Sequence, residues 1–228
     1  GRLVLPGMNR TLTCLDAATG ATLWQTTIDG GAVSSPIVSG GVIYLAAGFP
    51  SKDVLALSLL NGTPIWTATL ETISYSSPAL DSGLLVVGST GGRFYGLSAA
   101  SGAEVWSVAT GGNVFASSAA TGGGRAFLLP GEGHDQIYAR TLATGATEWT
   151  QTVANPAGAP AWGSIRASSP VVAGSRVLHT AGDRNGGDYV LFARDVAPPG
   201  ALDWTYVIGG TDPVSGVTAP PACSPTHV

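Results

Sequence analysis

The side chains able to carry chemistry gather in a handful of loops. His134-Asp135 is an adjacent imidazole–carboxylate pair, the combination a general base with its orienting acid requires. Neighbours in an extended loop point apart, which argues against that role, and no residue is assigned as catalytic. The stretch "DRNGGD" (Asp183 to Asp188, including Arg184) spaces oxygen ligands as a calcium loop could. Its Asn-Gly-Gly centre serves equally as a hairpin turn, and no metal is assigned. Trp162 and Arg166 share one long loop. An indole there can cap a ligand or partner site, or simply staple the loop. The guanidinium can clamp a carboxylate or an acidic patch, or stay a solvated rim charge. His179 lies in an apolar strand and reads as a satisfied core histidine. No Gly-x-Ser-x-Gly elbow, His-Glu-x-x-His, phosphate-binding Gly-Lys loop or Cys-x-x-Cys occurs.

The totals narrow the classes further. The 228 residues are 44% hydrophobic and only 11% charged, with 33 glycines, which suits short strands joined by tight turns rather than helical bundles. A net charge of −4 with ten Lys and Arg lacks the basic footprint of a nucleic-acid binder. No apolar run reaches transmembrane length. The chain opens on Gly1 rather than Met, which points to residues removed upstream. Cys14 and Cys223 are too few for a disulfide framework and read as thiols, with a single bridge as the alternative.

The loops hang on a repeat. "LDAATGATLW" (Leu15–Trp24) returns as "LSLLNGTPIW", "LSAASGAEVW" and "RTLATGATEW", and more loosely as "RDVAPPGALDW". The tryptophans fall at 24, 66, 106, 149 and 204. A second marker, Ser-Ser followed by Pro or Ala, begins at Ser34, Ser76, Ser117 and Ser168, each time ahead of a Gly-rich turn and an apolar run. Each unit reads as four strands: A from Ser-Ser-Pro, B from the apolar run, C from phrases such as "VLALS", and D carrying the tryptophan after a Thr-Gly turn. Glycine supplies the positive φ that this turn needs. One indole can bury roughly 150–250 Å², so a ring at the same spot in every unit must meet the same spot on a neighbour. Four-stranded sheets of about 40 residues stacked around an axis make a β-propeller. The chain is expected to be a single all-β propeller domain, with copies at 1–29, 34–70, 76–110, 117–153 and 168–207. Residues 223–228 resemble the start of a further strand A. Either that tail closes a five-bladed ring by pairing with the first copy, or five blades belong to a ring of seven or eight.

The Asp16-Ala17-Ala18-Thr19-Gly20…Trp24 phrase, with Ser-Ser-Pro and "GGVIYLAAG" beside it, resembles the repeat of the PQQ-like (quinoprotein-type) β-propellers, in style nearest the barrel-assembly lipoproteins. The resemblance covers nearly the whole chain. It implies that Trp24, Trp66, Trp106, Trp149 and Trp204 dock each blade on the next. The acid that usually opens the turn is present at Asp16, with Asp195 as its counterpart in the loosest copy, and replaced by Ser58, Ser98 and Thr141. The family's quinoprotein dehydrogenases typically carry an adjacent cysteine pair, which this chain lacks.

In such blades the A–B and C–D turns lie on one face of the ring, and the B–C loops and D–A crossings on the other. The first set is monotonous here and the second varies strongly, so binding is expected on the second face. It collects Lys52, Arg93, His134, Asp135, Trp162, Arg166, Asp183, Arg184 and Asp188. Tyr75 and Phe115, just ahead of Ser-Ser starts, are placed near the channel mouth. The function expected is a non-catalytic scaffold that binds a protein partner. Resemblance alone implies export to the periplasm or cell surface, and no cofactor is expected. Two alternatives stay open. One is part of a PQQ-dependent alcohol or sugar dehydrogenase, with PQQ and calcium near Trp162 and Arg166. The other is the extracellular sensor domain of a larger receptor or kinase.

Overall fold

A computed structural model describes residues 1–32, 34–111, 114, 117–130, 135–153, 165–183, 189–208 and 222. The described residues form five antiparallel sheets in chain order, and no helix occurs among them. The first sheet contains β1 (Arg2–Pro6), β2 (Thr11–Asp16) and β3 (Thr22–Thr27). The second runs β4 (Ile37–Ser39), β5 (Val42–Ala46), β6 (Asp53–Ser58) and β7 (Pro64–Thr69). The third runs β8 (Ala79–Asp81), β9 (Leu84–Ser89), β10 (Arg93–Ser98) and β11 (Glu104–Ala109). The fourth runs β12 (Ala120–Gly122), β13 (Arg125–Leu128), β14 (Gln136–Thr141) and β15 (Thr147–Thr152). The fifth holds β16 (Ile165–Ala167), β17 (Val171–Ala173), β18 (Arg176–Asp183), β19 (Tyr189–Asp195) and β20 (Leu202–Val207). This is the all-β propeller-type architecture that the repeat implies.

Two sheets depart from four strands. The first shows three, β1 to β3, with β1 starting at the second residue of the sequence. The fifth has five. There the D–A crossing, expected as loop to residue 167, ends in β16, which pairs with a lengthened β18 through Ile165↔Asp183 and Arg166↔Gly182. Among the described residues no strand of the last sheet joins the first. The tail strand at 223–228 lies outside the described residues.

The core is divided into layers between sheets. Leu12, Ile28, Ile43 and Leu45 pack between the first and second sheets. Tyr44, Val54, Leu85 and Tyr95 fill the next joint, and Phe94, Trp106, Leu128 and Tyr138 the one after. Phe127, Ile137, Trp149, Val177 and Phe192 fill the last. Every layer draws on two consecutive sheets, so each blade is stabilised chiefly by its neighbours.

Candidate functional site

The tryptophans set the spacing of the loops. The Trp24 indole N–H donates to the Leu59 carbonyl of the next sheet at 3.1 Å, and Trp66 donates to Ala99 at 2.9 Å. Trp106 reaches Leu142 at 2.7 Å and Trp149 reaches Val196 at 3.2 Å. In each case the ring lies on the glycine of the following turn. A Cβ at Gly62, Gly102, Gly145 or Gly200 would come within 2.5–2.8 Å of the ring carried by the preceding sheet. Glycine is therefore required twice at each of these positions, for its positive φ and for the approach of the indole. Trp204 holds the same place in its sheet but not the same surroundings. It is 42% exposed and meets no following sheet among the described residues.

Opposite each tryptophan, across the C–D pair, stands a small residue: Cys14, Ala56, Gly96, Ala139 and Ala193. A bulge follows at once in all five. The small residue makes room for the indole, and the bulge re-aims the strand into the turn. Cys14 belongs to this series and is a buried free thiol. Cys223 lies outside the described residues.

A second lattice runs through serines two residues ahead of β4, β8, β12 and β17. The Ser35 backbone N–H donates to the Ser77 hydroxyl, Ser77 to Ser118 and Ser118 to Ser169, each at 2.8 Å. The first serine of each pair (Ser34, Ser76, Ser117 and Ser168) is buried. The Ser-Ser marker thus links sheet to sheet, a role its position at a strand start did not disclose. Its signal in the sequence is the return of the second hydroxyl at intervals of 42, 41 and 51 residues.

With the sheets fixed, the loop sets separate as expected. The A–B and C–D turns are short, and several bond within themselves. Asp16 accepts from the Ala18 and Thr19 backbone N–H groups, both at 2.9 Å, and from the Thr19 hydroxyl. The Thr19 N–H, then the Ala18 N–H, hold its carboxyl below the usual range. The opposite face is charged and uneven. Arg10, Asp29, Pro50, Ser51, Lys52, Asp53 and Thr69 line an open cleft of about 440 Å³ between the first and second sheets. Asp53 is fully engaged there, accepting from Thr69 at 2.6 Å and from Ser51 at 2.9 Å. Arg10, Asp29 and Lys52 are exposed and form no ion pair or side-chain hydrogen bond among the described residues. Sequence reasoning picked Lys52 and missed Arg10 and Asp29. Arg93 is occupied within its own sheet region, pairing with Glu71 at 3.4 Å and donating to Ser107.

The other expected site residues are placed as follows. Tyr75 is half-buried and lies next to Gly48, at the loop that follows β5. Arg166 stands in β16 and Asp183 at the end of β18, so their backbones are brought onto adjacent paired strands at the loop face. Phe115, His134, Trp162 and Arg184 lie outside the described residues. Among the described residues no group of three or more His, Cys, Asp or Glu side chains could hold a metal.

His179 differs from the expectation of a satisfied core histidine. It is fully buried and stacked on Phe192 at 4.9 Å, but neither ring nitrogen has a hydrogen-bond partner among the described residues. Burial, with the Arg194 charge adding to it, pushes its pKa down to about 3. The imidazole is neutral and serves as a flat aromatic spacer in the joint between the fourth and fifth sheets.

Comparison with known proteins completes the picture. Compared with curated protein sequences, the chain matches none. Among solved structures it is similar to BamB from Moraxella catarrhalis, at 16% identity and a TM-score of 0.54. That alignment covers 92% of this chain and 74% of the BamB chain. It is also similar to the computationally designed Ika8 protein, at 14% identity and a TM-score of 0.74. There 96% of this chain aligns, spanning 61% of the designed one. Both likenesses concern the fold. The family described as outer membrane protein assembly factor BamB matches residues 1–107 and 50–212, nearly the whole chain. With the repeated Trp–Gly latch and the serine links between sheets, this chain belongs to the BamB-like family of PQQ-repeat β-propeller proteins.

Proposed function

We propose that this chain is a non-catalytic propeller scaffold that binds a protein partner through its variable loop face, in the periplasm or at the cell surface. The observation that carries the reading is the contrast between the two faces. One is built of short, uniform turns whose exposed unpaired charges among the described residues, Glu104 and Asp195, are acidic. The other presents exposed charges of both signs, Arg10, Lys52 and Asp29, around an open cleft, with no ion pair among the described residues. Mixed exposed charge on a rigid frame suits recognition of a polar protein surface, where it sets orientation and encounter rate. Membership of a family named for outer-membrane protein assembly supports an exported, partner-binding role. The single-domain organisation and the loop-face residues Tyr75, Phe115, His134, Trp162, Arg166, Asp183 and Arg184 belong to the same proposal. The five repeat tryptophans serve the frame.

A photo-crosslinking side chain placed at Lys52, and separately at Ser101 on the opposite face, tests this in intact cells. Discrete protein adducts from Lys52, weakened by Arg10→Glu and absent from Ser101, are expected. Adducts only from Ser101 would contradict the assignment. So would saturable fluorescence quenching by PQQ with calcium that disappears in Trp162→Ala, since the scaffold reading expects no cofactor.

A further inference from the structure

The repeat register aligns the linings of the four joints between sheets. Ser39↔Val42, Asp81↔Leu84, Gly122↔Arg125 and Ala173↔Arg176 are equivalent pairs, so Leu45, Val87 and Leu128 correspond to His179. Each of those three packs in the joint with the sheet before its own. In the same way Leu57, Leu97 and the half-buried Arg140 correspond to Arg194, each following the small residue opposite a tryptophan. The joint between the fourth and fifth sheets alone sets an imidazole and a buried guanidinium at these two positions together.

His179 alternates with Val177 and Ala181 on the face of β18 that packs against the fourth sheet. It stacks on Phe192, and neither nitrogen has a partner among the described residues. Arg194 lies 5.9 Å from the centre of the same Phe192 ring and crosses the joint to donate to the Thr152 carbonyl at 2.8 Å. It is buried, its Nε has no partner, and no carboxylate pairs with it among the described residues. The fourth sheet meets this cluster with Phe127, Ile137, Ala139, Trp149 and Val153, none of which titrates. Its charged and phenolic groups are engaged elsewhere: Arg125 pairs with Glu148, and Arg140 lies over Tyr138, which packs in the preceding joint. Among the described residues the one charge set against the imidazole is therefore that of Arg194.

A neutral imidazole fits this joint as an apolar spacer, but an imidazolium does not. It would bury two N–H donors without an acceptor, beside a second positive charge. To hold a proton the ring must reach water, and the route is a parting of the two sheets, which separates Arg194 from Thr152 and Trp149 from Val196. We infer that the joint between the fourth and fifth sheets is an acid-operated hinge: a solvent proton taken up by His179 opens this joint while the three before it stay closed. Burial first, and the Arg194 charge second, keep the closed form from taking that proton. Leu45, Val87 and Leu128 have no proton to take, so the other joints lack the device.

Protection factors of the Trp106 and Trp149 indole N–H groups, measured at pH 7.5 and pH 5.5, test this. They divide out the intrinsic pH dependence of exchange and report the opening of the third and fourth joints separately. One proton taken up on opening, by a ring that titrates near 6.5 in water and near 3 when closed in, raises the opening constant about tenfold over this range. Trp149 is expected to lose that factor beyond whatever Trp106 loses. His179→Leu gives this joint the side chain found at Leu45 and Leu128, and His179→Phe keeps a flat ring against Phe192. In both variants the extra loss is expected to vanish. Equal loss at the two rings of the unaltered chain would overturn the inference. So would an extra loss that persists in a folded variant, or a His179 ring that titrates near pH 6.5 while both indoles stay protected.

Discussion

Trp106→Ala should destabilise this protein by about 4 kcal/mol, whereas Trp204→Ala should cost less than about 1 kcal/mol, although both residues occupy the same repeat position. Trp106 is only 6% exposed, and its ring lies on Gly145 while its N–H reaches the Leu142 carbonyl at 2.7 Å. Returning roughly 200 Å² of ring surface to water costs about 5 kcal/mol at 25 cal/mol per Å². Loss of the hydrogen bond adds about 1 kcal/mol. Partial collapse of the fourth sheet into the cavity recovers some of this, which gives about 4 kcal/mol. Trp204 is 42% exposed and lacks an acceptor among the described residues, so its truncation removes little. The assay is urea unfolding followed by far-ultraviolet circular dichroism. Layered cores invite stepwise melting, so the comparison is made on the transition that each variant shifts. Equal costs for the two variants, or a Trp106→Ala cost below about 1 kcal/mol, would refute the idea that the rings dock neighbouring sheets.

Three further outcomes follow from the same geometry. Gly145→Ala and Gly20→Ala impose similar backbone strain, with φ at +69° and +72°, but only Gly145 lies under an indole. In thermal melts both are expected to lose about 1 kcal/mol from strain, and Gly145→Ala a further 1–3 kcal/mol from the clash. Equal losses would show that the ring contact is unimportant. His179 is neutral in the fold down to about pH 3, whereas in the unfolded chain it takes up a proton below about 6.5. Its depressed folded pKa means that stability falls as pH drops from 6.5 toward 3, by at most about 1.4 kcal/mol per unit. His179→Leu is expected to flatten that limb in denaturant titrations at pH 4 to 7, and an unaltered slope would place the imidazole in water. Ser118→Ala deprives the Ser77 N–H of its acceptor and is expected to cost about 1–3 kcal/mol, whereas Ser82→Ala, in an exposed turn, should be neutral by the same measurement.

Much of this architecture was legible in the residues because repetition amplifies weak local signals. One Thr-Gly turn says little, but the return of Gly20 as Gly62, Gly102 and Gly145, each four residues before a tryptophan, fixes strand order and the aim of the rings. What escaped depends on long-range geometry. The serine links join residues about one repeat apart through backbone N–H groups, which every residue has, so the types alone do not mark them. The small residue facing each indole is Cys, Ala or Gly, and only the register unites Cys14 with Gly96. β16 lies in a segment without strand alternation and is a strand because β18 is long enough to receive it. On the loop face Lys52 was found from its place in a variable loop. Arg10 and Asp29 became visible only once two sheets formed the cleft. His179 looked like a residue with partners because buried polar groups usually have them, and its stacking on Phe192 is the exception.

The most direct test of the propeller frame is hydrogen exchange at the indole N–H groups, read in a single series of nitrogen–proton spectra. Trp24, Trp66, Trp106 and Trp149, each donating to the next sheet, are expected to exchange slowly, and Trp204 rapidly. Fast exchange at all five would contradict the account, because rings open to solvent cannot hold one sheet against the next.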